Sequence, residues 1–356
     1  GGLKSKLSIL SKTGSKKIVP ISIMVSDYIP VSGDADNRIW KSQNYLYTSE
    51  GFLEKTGLYF EYDRDSLIVT RGVYLEGLKE DRWKYFTDGI ETENVIFSGG
   101  KKIKKYFYNP NGWTTEEINY RDGLKNGPHI TFINNSYSKK FEWNFLDGKR
   151  NGLSKEYESG QLLNEWTYLN DKRNGMHRSF YSSGKLSHES NYVDDEINGL
   201  SIDYYESGKI LSKENYLDGK VNGLSTIYYE SGKLKSEHNY LNGKRNGLFK
   251  DYYESGGLET TFLYEDGTLN GVGKSYKESG ELEAEGNYLD GILNGPFKIY
   301  WKSGKLSNES IYLDGKLNGP STDYYESGKL EAKKNYVDGN LDGLVKNYYE
   351  SGRLEN

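Results

Sequence analysis

The sequence predicts an all-β protein: an elongated, curved, single-layer antiparallel sheet of about 13 stacked β-hairpin repeats, with no helical domain. Three observations carry that expectation. The dipeptide Ser-Gly returns every 24 residues from Ser159-Gly160 to Ser351-Gly352. The stretches between turn signals are six to nine residues long, and their polarity alternates with a period of two. The composition joins 33 Tyr, 12 Phe and 6 Trp to 42 Gly and only 6 Pro. A chain so rich in aromatics is not disordered, although its mean hydropathy is −0.82.

The repeat defines the elements in order. One unit reads Tyr-Leu-Asp-Gly-Lys-x-Asn-Gly-Leu-x-x-x-Tyr-Tyr-Glu-Ser-Gly-Lys-Leu-x-x-Glu-x-Asn. Ser-Gly and the Asp-Gly…Asn-Gly segment are turn chemistry, where glycine supplies positive φ. The residues between them form the two strands. In the outgoing strand Leu234, Ser236, His238 and Tyr240 are expected on one face, with Lys235, Glu237 and Asn239 on the other. In the return strand Leu248, Lys250 and Tyr252 alternate with Phe249, Asp251 and Tyr253. The position four before the Tyr is small (Ser212, Ser236, Thr260, Ala284, Ala332), which leaves room for a neighbouring ring. An aromatic–aliphatic ladder on one face and Glu, Asn and Lys on the other follow. Two strands per unit, ~4.8 Å apart, advance the sheet by roughly 10 Å per repeat. No hairpin of this kind is stable alone, so each is stabilised by its neighbours.

Three segments result. Residues 1–50 form a unique N-terminal capping segment, in which Ile18 to Val25 supplies a strand and Trp40, Tyr45 and Tyr47 cover the first ring layer. Residues 51–150 are degenerate repeats, with a one-residue insertion near 137–146. Residues 151–356 are regular repeats. The Gly1-Gly2 start reads as processed or engineered, and the edge after Leu354 as bare, truncated or paired with a partner.

At these residues the chain resembles the bacterial MORN-repeat variant of the YwqK-family, antitoxin-like proteins. The resemblance covers about 57–356 and is strongest from about 148 onward. It implies stacked hairpins in a curved single sheet and a role in protein binding, as an antitoxin, an immunity protein or a scaffold.

Composition bounds the chemistry. The absence of Cys removes disulfides, Cys-zinc sites and thiol nucleophiles. The four His lack metal-ligand spacing and read as surface residues. Each Asp-Gly-Lys-x-Asn-Gly loop offers one carboxylate where calcium wants several oxygens. The expectation is no cofactor, no metal and no catalytic residue, and a protein that is not an enzyme. A net charge of −5 without a basic patch gives nucleic acid no footprint. Residues 1–56 carry eight Lys and Arg against five acids, a balance of +3 on an otherwise acidic chain. That basic head offers contact with anionic lipid or end-to-end self-association. The Glu series Glu165, Glu189, Glu237, Glu285 and Glu309 forms an acidic stripe, offset by the turn lysines Lys185, Lys233, Lys305 and Lys329.

The functional expectation is a non-catalytic scaffold that binds a cognate protein, a toxin or a surface ligand. The alternative is a cell-surface or secreted adhesion module for glycan or a host ligand. Either a cytoplasmic or an exported bacterial protein fits the composition. Candidate partner-binding residues are Trp83, Trp113 and Trp143, where the repeat breaks, and the second Tyr of each Tyr-Tyr pair: Tyr205, Tyr229, Tyr253, Tyr325 and Tyr349. These five are expected exposed, facing opposite to the first Tyr.

Overall fold

The computed structural model describes residues 55–355, apart from 64, 66 and 134–137, together with the backbone of Ile18–Val19, Trp40–Tyr47 and 53–54. Other calls on residues 1–50, the side chains of Trp40, Tyr45 and Tyr47, and the core of the insertion near Tyr137 lie outside the described residues. Among the described residues there are strands and turns and no helix. Contacts divide the chain into two units, Gly1–Lys172 and Arg173–Asn356.

In the first unit the strands follow one another as an antiparallel meander. Ile18–Val19 pairs with Trp40–Tyr47, which pairs with Leu53–Tyr62. Hairpins then continue through Leu78–Thr87 and Ile90–Ser98 to Gly152–Glu158 and Gln161–Leu169. The second unit repeats the same order from Leu186–Val193 to Leu330–Val337. Both units are single-layer sheets of sequential hairpins, as the 24-residue pattern predicts.

The two turns differ in kind. In Leu241-Asn242-Gly243-Lys244 both central residues have positive φ, 51° and 82°, and Leu241 pairs with Lys244. This two-residue hairpin has the backbone twist that matches paired strands, and Asn or Asp followed by Gly suits it; Asn170-Asp171 and Asp194-Asp195 take the same two positive φ values without glycine. At the other end Gly232, with φ 91°, donates to the Tyr229 carbonyl, and Tyr229 N–H donates to Lys233. That is a tight turn closed by a left-handed glycine.

The Asn-Gly dipeptide is not a turn. Asn222 N–H donates to the Asn215 carbonyl, and Gly223, with φ 90°, resumes pairing opposite Tyr240. It is a bulge that splits the return strand into Lys220–Val221 and Gly223–Tyr228. A second bulge changes a face assignment. Ile227 pairs with Ser236 but Tyr228 pairs with Leu234, so Lys235 is the extra residue. Leu234 therefore shares a face with Tyr228 and Glu237, not with Ser236 and Tyr240.

Consecutive hairpins are joined along both edges. At the Asp-Gly edge the turn glycine donates to the preceding repeat: Gly219 to Ile197, Gly243 to Val221, Gly267 to Arg245, Gly291 to Leu269. At the Ser-Gly edge the second Tyr donates its hydroxyl to a carbonyl 23 residues ahead. Tyr205 reaches Tyr228, Tyr229 reaches Tyr252, Tyr253 reaches Tyr276 and Tyr325 reaches Tyr348, at 2.7–2.8 Å. Trp301 makes the same bond through its indole N–H, 2.9 Å from the Tyr324 carbonyl. The turn lysine adds another, as Lys209 to Glu230 and Lys233 to Glu254. These lysines bond carbonyls and do not neutralise the Glu series.

The core lies on the face that carries Tyr240. Phe249 is 4% exposed and contacts His238 at 4.4 Å, Tyr264 at 4.6 Å and Tyr240 at 5.6 Å between ring centres. Further along this face Gly273 pairs with Gly286. A Cβ at Gly286 would stand 2.6 Å from Phe297, and one at Gly273 would stand 2.8 Å from Phe262. The rings occupy the space that the glycines leave. The first unit uses the same device, with Trp83 lying where a Gly72 Cβ would be.

Phe249→Ala should cost about 3–5 kcal/mol, as a buried aromatic truncation. Tyr253→Phe should cost about 0.5–1.5 kcal/mol, the net value of one hydrogen bond. Lys277 stands where the neighbouring repeats have the donating Tyr253 and Trp301, so Lys277→Tyr should raise the denaturation midpoint. A loss on Lys277→Tyr, or no loss on Tyr253→Phe, would contradict the role given to that hydroxyl.

Candidate functional site

The eight sequence-predicted site residues have three different surroundings. Trp83 is 1% exposed; its ring packs on Tyr59 and Tyr74, Lys79 Nζ lies 4.0 Å from the ring centre, and its indole donates to the Val73 carbonyl. Such a residue is core and not a presented anchor. Trp143 is half-buried, stacked on Phe141 at 5.0 Å and against His129 at 5.1 Å. Trp113 is 38% exposed on a turn where Asn109 Oδ1 accepts from the Asn111 and Trp113 amides. Tyr205, Tyr229, Tyr253 and Tyr325 are half-buried, because their hydroxyls reach the next repeat. Tyr349 alone among the five is exposed, at 52%. The expectation of exposure is thus corrected for four of the five.

The ring face also carries a polar network, and the histidines belong to it. His129 is buried and bonds Glu116 at 2.5 Å, and His238 lies 3.1 Å from Asp251. None of the four His is an exposed surface residue. Around His188 the order of groups resembles a hydrolytic triad: Asp203 Oδ1 is 2.7 Å from Nδ1 and Ser190 Oγ is 2.9 Å from Nε2. Ser190 is 1% exposed in the middle of a strand, however, and its neighbours are the paired backbone of the sheet. Ser236, His238 and Asp251 occupy the same repeat positions with different bonds. The constellation is one version of a ladder element.

The opposite face carries the Glu series, and each Glu meets a cation on a neighbouring strand. Glu165 pairs with Lys155, Glu189 with Arg178, Glu237 with Lys250, Glu285 with Lys274, and Glu309 with Lys298. Three tyrosines on the return strands add a hydroxyl: Tyr204 to Glu189, Tyr252 to Glu237, Tyr300 to Glu285. Burial, and then the neighbouring Glu, pushes the Tyr204 and Tyr300 phenols up to about 12.

Beside this charged strip the second unit exposes a row of aliphatic side chains. Leu200, Leu217, Leu224, Leu241, Leu248 and Leu289 are each 41–51% exposed. Sequence reading missed this row by assigning all aliphatics to the ladder. The signal was present in the Gly-Leu dipeptides at Leu200, Leu224 and Leu248.

The fold and these two faces define a repeat protein of stacked β-hairpins. Residues 173–338 match the MORN repeat variant in seven consecutive segments: 173–194, 197–218, 221–242, 245–266, 269–290, 293–314 and 317–338. No curated protein sequence matches the chain. Among solved structures it is similar to a chain of the Photorhabdus luminescens Tc holotoxin pore (mutation TccC3-D651A), at 11% identity and a TM-score of 0.18 over 92% of this chain. It is similar also to a chain of the TcdB2-TccC3-Cdc42 structure, at 12% identity and a TM-score of 0.18 over 89% of this chain. The chain covers 20% and 19% of those two chains.

No group of three or more His, Asp or Glu among the described residues is placed to hold a metal ion. EDTA or millimolar Ca²⁺ should therefore leave the thermal midpoint unchanged; a rise of several degrees with Ca²⁺ would reveal a bound ion.

On the ring face His177 and Asp251 carry the largest acid-range shifts and give a pH dependence. Burial, then His188 and Arg173, pushes His177 down to about 4. The unfolded chain takes up that proton near 6.5. Between those values the unfolded state binds more protons, so stability should fall as pH drops from about 6.5 to about 4. The hydrogen bond from His238, with those of Ser236 and Thr260, holds Asp251 at about 2 despite burial. Its contribution is complete above the usual carboxylate range and is lost as pH falls through about 2. His177→Gln should reduce the slope of the upper window of a midpoint-versus-pH curve, to which His129, also held down by burial, contributes, and leave the lower one in place. An unchanged upper window would disprove the assignment to His177.

Proposed function

We propose that the protein is a non-catalytic scaffold that binds a protein partner on its glutamate face. The observation that supports this most is the aliphatic row of the second unit. Contiguous exposed apolar surface rimmed by polar groups marks interaction sites in proteins of this kind. The row recurs with the repeat, so a partner that meets several of its members gains from each. The buried Ser190 and the paired backbone around it speak against catalysis at the triad-like group. Neutralising a cognate toxin, as an antitoxin or immunity protein, is the form of binding that the family resemblance implies.

Leu224→Glu combined with Leu248→Glu should reduce capture of the native-cell partner at least tenfold. The thermal midpoint should move little, because both side chains are exposed. Trp113→Ala is the parallel test of the irregular first unit. Loss on Trp113→Ala alone would transfer the site to that unit. Full capture by both variants would defeat the proposed surface.

A further inference from the structure

A concavity of about 520 Å³ opens on the ring face near the Ser-Gly edge of the second unit. Its volume is in the range that takes a small ligand or a side chain. Ala332, 5% exposed, is among its lining residues, and so are the rings of Trp301 and Tyr325. The polar edge of each ring is already engaged, Trp301 with the Tyr324 carbonyl and Tyr325 with the Tyr348 carbonyl. What the rings retain for a guest is their π surface.

The charge around them is acidic. Asp323, Glu331 and Glu355 line the space against one cation, Lys334. Lys334 is held by Asp323 at 2.8 Å. Among the described residues Glu331 and Glu355 form no ion pair.

A sister repeat indicates what such a ring accepts. At Tyr229, Lys235 places its own Nζ 5.5 Å from the ring centre. The residue in the place of Lys235 is Ser307 beside Trp301 and Glu331 beside Tyr325. Here the column holds Ser307 and Glu331 and no lysine of the chain's own, and one Tyr is replaced by Trp, the ring that attracts cations most strongly.

We propose that this concavity binds an alkylammonium group, held by the Trp301 and Tyr325 rings and by the Glu331 and Glu355 carboxylates. Two sources share that chemistry: a free quaternary amine and a lysine side chain of another protein. The inference is independent of the aliphatic row, which lies on the opposite face.

The test is a calorimetric titration of the full chain with choline and with its neutral isostere 3,3-dimethylbutan-1-ol. Choline should saturate one site, and the alcohol should bind at least tenfold more weakly. Ser307→Lys restores the arrangement seen at Tyr229 and should abolish choline binding. Glu331→Gln should weaken it severalfold, whereas Lys334→Met should strengthen it. A merely structural disturbance would not move those two in opposite directions. Equal binding of the alcohol, or undiminished choline binding by Ser307→Lys, overturns the proposal, as does the absence of saturable binding by either choline or Nα-acetyl-lysine methylamide. Tighter binding of the lysine derivative identifies a protein side chain as the guest, and tighter binding of choline a free amine; both uphold the alkylammonium class.

Discussion

A hairpin of two short strands leaves half of its backbone groups facing a neighbour, and everything else in this protein follows from supplying that neighbour. The sheet ladder does part of the work. The edges do the rest, through glycine N–H groups at one end and tyrosine hydroxyls at the other. Each such bond contributes only about 0.5–1.5 kcal/mol net. Because they recur from junction to junction, they act in the same direction along each unit, and stability is a property of neighbours and not of single hairpins. A repeat that lacks one, as at Lys277, stays in register through the other edge, where Gly291 still donates to Leu269.

The ring face is organised by volume. One layer of strands cannot enclose a core, so rings must lie along the sheet and cover it. They find room where the sheet offers small residues, as at the Gly273–Gly286 pair, where Phe262 and Phe297 occupy the space of the missing side chains. Glycine within a strand is weakening in itself. Here the loss is offset because an aromatic ring fills the missing side chain's place. The buried polar groups obey the same geometry, since Ser, His and Asp at these positions bond each other across strands. That accounts for histidines inside a face that composition alone would assign to solvent.

The hairpin order, the turn glycines and the main ring series were legible because each depends on residues close in sequence and repeated at a fixed interval. Three features were not. The Asn-Gly bulge uses the same dipeptide as a turn, and only its position within a paired strand distinguishes the two. The bulge at Lys235 reverses Leu234, which alternation cannot foresee, since one extra residue changes the face of what lies beyond it. The tyrosine latch was read as an exposed contact because its acceptor is a backbone carbonyl, an atom every residue has. Trp83 illustrates the same limit from the other side. A Trp at an irregular position looks like an interface anchor, but Gly72 opposite it makes the space that buries it.

Repetition also determines where specificity can arise. Positions that hold the junctions together vary little, because a change there affects two repeats at once: where Asp171 and Asp195 replace the turn glycine, the N–H still donates to Arg150 and Arg173. Positions in the columns between them vary without disturbing the ladder. The column of Lys235 illustrates this: it holds Lys235, Glu259, Glu283, Ser307 and Glu331 while the backbone pattern around it is preserved. Trp301 varies within a junction position and still keeps its bond, because an indole N–H can replace a phenol O–H as donor. A substitution of that sort alters the surface while leaving the frame intact. In a protein whose backbone is nearly the same every 24 residues, individuality is therefore confined to side-chain columns, and a site is formed where two or three columns depart from the pattern together.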